Sequence, residues 1–250
     1  MAGGTSDASL AETIALLWSD HSRPVGRTGR SINDFVAAAT ELAQASGLDA
    51  LSMRAIAERL GVRTMATYNF APGKAALLAL MVDHAYRDVY AGAEPASKNW
   101  RPRLTRVAKT NRELFLAKPW LHAARPARSL MGPHELAKHE IELGALEKIG
   151  LTDVEMDQTL AAILNHAAHT SALESQLLAE RRGSGLEDPQ WWVEVMPQLE
   201  RYADARRFPL TARVGRAATA ARDGEFWGEE AFSFGLERLL DGIEVLIRSR

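Results

Sequence analysis

The sequence predicts an all-α protein in which a small three-helix domain precedes a larger helical domain. Apolar residues recur every three or four positions along most of the chain, which is the spacing of amphipathic helices. Proline and glycine fall between these periodic segments, where helices begin and end. No alternating apolar and polar pattern of useful length indicates a β-strand. Together these observations predict the all-α fold class.

Composition narrows the class of protein before any motif is considered. The chain has 250 residues, no cysteine and a net charge of −2, so disulfides and thiolate metal sites are excluded. It has neither an apolar run long enough for a membrane helix nor the basic start and apolar centre of a signal peptide. These features predict a soluble, cytoplasmic protein without a membrane partner.

Charge is distributed unevenly. Residues 21–74 contain seven Lys and Arg against four Asp and Glu, an excess of +3 within a chain of net charge −2. Such an excess permits contact with phosphates without being diagnostic of it, because most charged clusters are solvated faces.

The amino-terminal segment is predicted to contain a short helix over residues 9–20, followed by an aperiodic stretch, HSRPVGRTGR. A linker is the default interpretation of such a Pro/Gly-rich stretch. The alternative is a flexible basic arm in which Arg23, Arg27 and Arg30 reach phosphates or a narrow minor groove.

Three short helices are predicted next, over residues 31–46, 52–60 and 64–70. Together they can enclose a small apolar core. The apolar residues expected at the centre of that core are Phe35, Leu42, Ile56 and Leu60.

The connection between the second and third helices is tight. Ser52 and Thr64 have side chains suited to N-caps, and Gly61 stands where a left-handed residue ends a helix. Pro72 stops the third helix. Two short helices joined by a glycine-containing turn match the helix-turn-helix of DNA-binding proteins. On this stretch alone, an ordinary corner between two helices is an equally good interpretation.

Helices are predicted throughout the remainder of the chain, beginning with a long one from Lys74 to about Gly92. A capping box of Thr152 and Glu155 begins the longest of them. The later helices are expected at about 101–117, 120–129, 133–149, 152–180, 189–205, 209–222 and 226–248. The chain is accordingly divided into an amino-terminal helix and basic arm (1–30), a helix-turn-helix domain (31–75) and a larger helical domain (76–250), for which the family resemblance given below implies DNA binding by residues 31–75 and ligand binding and dimerisation by residues 76–250.

The order of these elements resembles the TetR family of transcriptional regulators over about the first 90 residues. The last helix, FSFGLERLLDGIEVLI, also resembles the last helix of the tetracycline-repressor-like carboxy-terminal domain, whereas the middle is similar only in helical layout. The residues that carry the amino-terminal resemblance are Gly47, Leu48, Leu51, Ser52, Met53, Ile56, Ala57, Leu60, Gly61, Val62, Tyr68, Pro72, Gly73, Lys74 and Leu77.

The resemblance implies that residues 64–70 enter the major groove of double-stranded operator DNA. Asn69 would then read adenine and Met65 a thymine methyl group, while Tyr68 and Lys74 would contact phosphates. Without the resemblance, Tyr68 and Lys74 read as ordinary surface residues. The full set of candidate DNA-binding residues is Arg27, Arg30, Ser52, Arg63, Thr64, Met65, Ala66, Tyr68, Asn69 and Lys74.

Two positions depart from the family pattern. Thr67 stands where leucine is common, and Phe70 stands where histidine or tyrosine is common. We expect Thr67 to weaken the core anchor of the third helix and Phe70 to remove a hydrogen-bond donor to phosphate. Lower operator affinity or an unusual operator would follow.

The resemblance also implies a homodimer and a small-molecule effector. The expected interface pairs the 152–180 helix with the last helix, and burial in one chain's own core is the alternative. Its candidate residues are Leu160, Leu164, Ala168, Leu236, Leu239 and Ile243. The candidate effector contacts are Tyr90, Trp100, Asn111, Phe115, Trp120, His122, His166 and His169. Taken singly, each of these residues is more commonly a core or surface residue than a ligand contact.

Catalytic and metal sites are not expected. The sequence has no glycine-rich phosphate loop and no GxSxG or HExxH motif, and the pair His166 and His169 lacks a third ligand. We therefore predict no cofactor and no enzymatic activity, but a ligand-responsive transcriptional regulator, most simply a repressor that a small molecule releases from its operator. The alternative, motivated by Thr67 and Phe70, is a helical ligand-binding or protein-interaction module that has lost DNA binding.

Overall fold

The computed structural model describes residues 10–91, 97–226 and 228–249. Within this part the chain is helical, and its only β-type pairing is an isolated antiparallel bridge between Pro24 and Ser31. The all-α prediction is confirmed. The described helices are α1 (Leu10–Leu17), α2 (Ile32–Ser46), α3 (Met53–Leu60), α4 (Thr64–Thr67), α5 (Lys74–Tyr86), α6 (Trp100–Ala117), α7 (Leu121–Ala124), α8 (Pro133–Gly144), α9 (Asp153–Ser184), α10 (Asp188–Leu199), α11 (Pro209–Ala221) and α12 (Glu229–Arg248).

Several helices are shorter or longer than the sequence predicts. Helix α7 covers four residues of the expected 120–129 and stops before Pro126, since a residue that precedes proline avoids the helical conformation. Helix α9 runs past the expected end at residue 180 to Ser184, and Gly185 ends it in the left-handed region with φ 71°. Helix α5 ends at Tyr86 instead of about Gly92, and turns follow it.

Side-chain caps begin several of the described helices, and those at Ser52 and Thr152 were expected from residue type. In α2 and α9 the caps are full capping boxes, Ser31 with Asp34 and Thr152 with Glu155. Ser52 caps α3 by accepting from the backbone N–H of Ala55. Thr64 was expected to cap α4, which is wrong: it is the first helical residue, and the cap position belongs to Arg63.

Two apolar cores organise the described helices. The first core joins the helix-turn-helix to α5, the end of α6 and α7, and includes Phe35, Ile56, Phe70, Leu80 and Leu121. The second core lies between α6, α9 and α12, with the connection that follows α8. Its large side chains are Leu104, Leu146, Leu160, Ile163, Phe232, Leu236 and Leu240. Helix α6 contributes to both cores, so it joins them along its length.

Among the described helices, none is both long enough and apolar enough to cross a membrane.

Phe70 provides a direct test of the first core. Its side chain is fully buried and stacks on Phe35 at a centroid distance of 5.1 Å. We expect Phe70→Ala to lower the free energy of unfolding by about 3–5 kcal/mol, because it leaves a cavity where an aromatic ring was. Urea denaturation followed by circular dichroism measures this loss.

The matched control is Tyr68→Ala, two residues earlier, whose side chain is 44% exposed. It should change the free energy of unfolding by no more than about 0.5 kcal/mol. Equal losses in the two variants would contradict the placement of Phe70 in the core.

Candidate nucleic-acid interface and effector domain

The turn between α3 and α4 is built from local interactions. Gly61 adopts a left-handed conformation with φ 69° at the end of α3. This conformation favours glycine and reverses the chain at once. The backbone N–H of Val62 then donates to the carbonyl oxygen of Ala57 at 3.0 Å. Only three residues therefore separate the end of the first helix of the pair from the start of the second.

Helix α4 has one buried side and one exposed side. Thr67 is fully buried, and its hydroxyl donates to the carbonyl oxygen of Thr64 at 2.6 Å. On the other side Met65 is 76% exposed, and Asn69 is also exposed. Hydrogen-bonded turns continue the chain as far as Ala71. Met65 and Asn69 are therefore exposed to solvent, while Thr67 is buried on the other side.

The two departures from the family pattern lie in the core. Thr67 has its hydroxyl satisfied within α4, so it anchors the helix without an unpaired polar group. Phe70 is fully buried against Phe35 and faces away from the exposed side of α4. The expectation that Phe70 removes a phosphate contact is therefore wrong, because a side chain at this position is directed into the first core.

The basic residues of the helix-turn-helix and its flanking segments differ in their partners. Arg27 and Arg63 are exposed, and neither belongs to an ion pair found in the described part of the chain. Lys74 donates to the carbonyl oxygen of Leu48 at 3.3 Å. By contrast, Arg23, Arg54 and Arg59 pair with Asp20, Glu58 and Glu41.

Residues 21–30 form an ordered turn in the structure. The backbone N–H of Val25 donates to the carbonyl oxygen of Arg30 at 2.7 Å, and glycines with positive φ at positions 26 and 29 close the loop. Arg27 lies within that loop, while a guanidinium nitrogen of Arg30 lies 3.4 Å from the carbonyl oxygen of Leu60 at the end of α3. Residues 21–30 therefore form a folded loop beside the helix-turn-helix, which differs from both the linker and the flexible arm considered from the sequence.

Two of the candidate effector residues, Tyr90 and Asn111, meet in a buried polar cluster. One carboxylate oxygen of Glu142 accepts from the Tyr90 hydroxyl at 2.9 Å, from the Asn111 amide at 2.6 Å and from the Lys138 ammonium at 2.7 Å. Burial is the main cause that raises the pKa of Tyr90 and lowers the pKa of Lys138. The sequence analysis missed Lys138 and Glu142, because their four-residue spacing is typical of a surface ion pair.

A second group of candidates lies where α6 meets α7. Phe115 stacks on His122 with ring centroids 4.8 Å apart, and Trp120 is buried beside them in the first core. Indole Nε1 of Trp120 and Nε2 of His122 are buried and have no hydrogen-bond partner within the described part of the protein. Burial, followed by the charge of Arg125, lowers the pKa of His122.

The remaining candidates lie elsewhere. Trp100 packs against the second core, and His169 is exposed on α9. His166 spaces α9 from α12, since its Nε2 lies 2.8 Å from the carbonyl oxygen of Phe232 and its ring occupies the room beside Gly235. A cavity of about 150 Å³ among the described residues is lined by other residues, from α1, α5 and the α7–α8 connection. The eight candidates therefore do not share one pocket.

Burial within the chain's own core reduces the apolar surface that the proposed dimer face can offer to a partner. Leu160 and Leu236 are only 1% and 2% exposed inside the second core, so their apolar surface is already covered within one chain. Ile243 is 8% exposed, and Leu164 and Ala168 are half-buried. Leu239, Ile243 and Leu246 line a groove between α9 and α12 that remains open to a partner.

Three histidines and one arginine meet between the helix-turn-helix and the carboxy-terminal helices, a group we call the junction cluster: His21, His84, Arg87 and His134. His21 Nδ1 lies 2.8 Å from His84 Nε2, and Arg87 donates from Nε to His134 Nε2 at 3.1 Å. Burial, followed by the charge of Arg87, lowers the pKa of His84 to about 3. The sequence analysis missed this cluster, since its members are far apart in the chain.

The exposed side of α4, its buried anchor and the tight turn that joins it to α3 are the features of a helix-turn-helix DNA-binding protein. Sequence comparison identifies the family. Residues 35–81 match the model described as "Bacterial regulatory proteins, tetR family", and residues 93–247 match "Tetracyclin repressor-like, C-terminal domain". The chain therefore belongs to the TetR family of transcriptional regulators, a family without enzymatic activity.

Individual relatives agree with this assignment. The chain is 34% identical over 251 residues, 98% of this chain and 90% of the relative, to the HTH-type transcriptional repressor DrrR1 of Streptomyces coeruleorubidus. ActR of Streptomyces coelicolor in complex with actinorhodin has a TM-score of 0.68 at 21% identity, covering 85% of this chain and 94% of ActR. The regulator SCO7222 of the same organism has a TM-score of 0.65 at 23% identity, covering 86% and 98%. These two structures are similar in fold.

The low pKa of His84 predicts a dependence of stability on pH. Its folded-state pKa of about 3 lies below its ordinary value of 6.5, so the unfolded chain takes up a proton that the folded chain does not. Stability should therefore fall as the pH drops below about 6.5, with a slope under the single-proton limit of about 1.4 kcal/mol per pH unit.

Urea denaturation of the wild type and His84→Gln at pH 7.5 and 5.5 measures this effect. Glutamine retains a donor towards His21 but does not titrate, so the variant should lose less stability between the two pH values. Other titrating groups, including His134 and Asp83, are common to both proteins and cancel in the comparison. Identical losses would contradict the assignment to His84.

Proposed function

We propose that this protein is a homodimeric repressor that binds operator DNA through α4 and leaves it when a small molecule binds. The observation that carries the proposal is the two-sided character of α4. Thr67 and Phe70 anchor it in the first core, while Met65, Tyr68 and Asn69 remain exposed. An exposed helix of this size fits the major groove of B-DNA.

The roles of the individual residues follow from their positions. Met65, Ala66 and Asn69 face base edges, with Asn69 suited to adenine and the apolar side chains to thymine methyl groups. Tyr68, Arg63, Thr64, Ser52 and Lys74 lie around α4 and contact phosphates. Such contacts position the protein without reading sequence. The ordered loop that carries Arg27 and Arg30 adds further contacts beside them.

The interpretation as a module that has lost DNA binding depended on Thr67 and Phe70. Both side chains are buried, so their identities affect packing in the first core instead of contact with phosphates. Nothing else in the exposed side of α4 favours that alternative.

A two-fold dimer would present two copies of α4 to a palindromic site. The groove between α9 and α12 supports this assembly, because Leu239 and Leu246 line it and Gly242 permits close approach of a partner helix. The proposal includes domain boundaries at residues 30 and 75. It also includes a location in the cytoplasm.

The effector site is proposed where α6 meets α7. Trp120 and His122 each have a buried ring nitrogen without a partner, which an effector's polar groups can satisfy. A relative of similar fold, ActR, forms a complex with actinorhodin. Helix α5 packs against α7 on one side and against α2 on the other, so movement at the effector site reaches the helix-turn-helix through α5. An effector that binds more tightly to a dimer whose α4 helices do not fit the operator weakens operator binding. The size of the effect is set by the difference between its affinities for that state and for the operator-binding state.

Phosphate contact by Tyr68 and Lys74 is tested with two variants, Tyr68→Phe and Lys74→Ala. Each should weaken binding about five- to tenfold, corresponding to about 1–1.4 kcal/mol for one lost contact. The loss should be the same for every duplex, since phosphate contacts carry no sequence information. Fluorescence anisotropy at fixed salt, with duplexes selected from a random-sequence pool, measures it.

Asn69→Ala is the comparison variant for these two. It should relax the preference at one base position while leaving binding to unselected DNA unchanged. Full affinity in both Tyr68→Phe and Lys74→Ala would reject their assigned roles.

The dimer face is tested by Leu239→Asp. A carboxylate placed in the groove between α9 and α12 should prevent association, because it would be buried without a partner. Sedimentation velocity should show a monomer, and operator binding should fall at least about tenfold as the second half-site is lost. The control is Val245→Asp on the same helix, a position that is 69% exposed and lies outside the groove. A dimeric Leu239→Asp variant would place the interface elsewhere.

A further inference from the structure

Arg87 contacts helices on both sides of the boundary between the helix-turn-helix and the carboxy-terminal domain. It follows the last residue of α5. One terminal nitrogen of its guanidinium donates to the side-chain oxygen of Asn33, at the start of α2, at 3.1 Å. Its Nε donates to Nε2 of His134, at the start of α8, at 3.1 Å. A single side chain therefore joins α2, α5 and α8.

The hydrogen bonds of the junction cluster fit one arrangement of donor and acceptor nitrogens on the rings of His21 and His84. Nε2 of His21 lies 2.7 Å from the carbonyl oxygen of Leu16, so that nitrogen carries the proton and donates. Nδ1 of His21 then accepts from Nε2 of His84 at 2.8 Å. Nδ1 of His84 is left as an acceptor, and a terminal nitrogen of Arg87 lies 3.3 Å from it. Arg87 thus contacts His134 through Nε, and Asn33 and His84 through one terminal nitrogen.

Helix α8 is held firmly at the same end. A carboxylate oxygen of Asp83 accepts from the backbone N–H groups of His134 and Glu135 at 3.0 and 2.9 Å. Gly132 lies against that carboxylate so closely that a Cβ there would meet it at 2.3 Å. The start of α8 is therefore held to α5, and Arg87 provides a polar connection from this end of α8 to α2.

The middle and far end of α8 contribute Lys138 and Glu142 to the buried polar cluster with Tyr90 and Asn111. A molecule that displaced this cluster would act directly on α8, because both residues belong to that helix. Apolar contacts between α5 and α2 tolerate small sliding movements, because dispersion and burial are not directional. A guanidinium that holds two acceptors on different helices does not tolerate such movement, since its planar fork fixes their geometry.

We propose that Arg87 is the positioning residue that couples the effector domain to the operator-binding helices, by holding the start of α8 in register with the start of α2. This proposal rests on the proposed function, because it needs a protein that binds operator DNA. When α8 moves, the Arg87–His134 contact either pulls α2 through Asn33 or breaks. By reciprocity, operator binding must also restrain α8 through the same residue.

Hydrogen exchange of the full-length protein tests this reciprocity without any effector. The probe is a duplex selected from a random-sequence pool, first shown by anisotropy to bind the wild type. In the wild type, duplex binding should slow amide exchange of residues 133–144 at least about fivefold, the lower end of ordinary coupling. In Arg87→Lys and in Asn33→Ala, both saturated with duplex, that slowing should be absent.

Both variants are chosen to preserve the fold. Arg87 is exposed and Asn33 half-buried, lysine keeps the charge at position 87, and the backbone contact from Asn33 to His21 is unaffected by alanine. The matched control is Arg248→Ala, which removes an exposed arginine paired only with Glu244 on its own helix and should retain the wild-type response.

The possible results separate two failures. A wild type that binds duplex without slowing exchange in α8, or variants that keep the wild-type response, would overturn the role of Arg87. A wild type that binds none of the selected duplexes would overturn the proposed function itself, and the coupling with it. Loss of the response in both variants, with the response kept in Arg248→Ala, supports the proposal.

Discussion

Burial of α5 between the helix-turn-helix and the carboxy-terminal helices is the constraint on which the rest of the structure depends. Leu77, Leu80 and Met81 are almost completely buried in the first core, which also holds Phe35 and Phe70. The reading helix α4 has only four residues and cannot be stable alone, because short helices derive their stability from packing. Its orientation is therefore set by the same core that positions the start of the effector domain.

The polar groups inside the protein restrict this arrangement further. Glu142 is 1% exposed and accepts three hydrogen bonds, while Asp83 is 2% exposed and holds the first amides of α8. Removing one partner from such a group leaves an unsatisfied buried charge or dipole, which is costly. Directional contacts of this kind define the register of α8 on α5, which apolar packing alone would leave free to shift. A helix with two distinct registers is the physical basis of a switch.

Local features were predicted well from the sequence, and sites built from distant residues were not. The caps at Ser52 and Thr152 and the left-handed Gly61 depend on neighbours within a few positions, and all three were expected from residue type. The effector residues were chosen as aromatic and polar side chains in helical segments. Their scatter over separate regions reflects how helix faces pack, which periodicity does not specify.

By itself the sequence determined the helical class and the helix-turn-helix with its turn, because spacing and capping act within one or two turns of a chain. The residues expected on the exposed side of α4 came from the resemblance to the TetR family. The tertiary structure alone decided that Thr67 and Phe70 are buried, that Lys138 and Glu142 form an internal pair, and that residues 21, 33, 84, 87 and 134 meet at one junction. The physical reason is that these contacts join residues distant in the chain, and their formation depends on the relative placement of several helices at once.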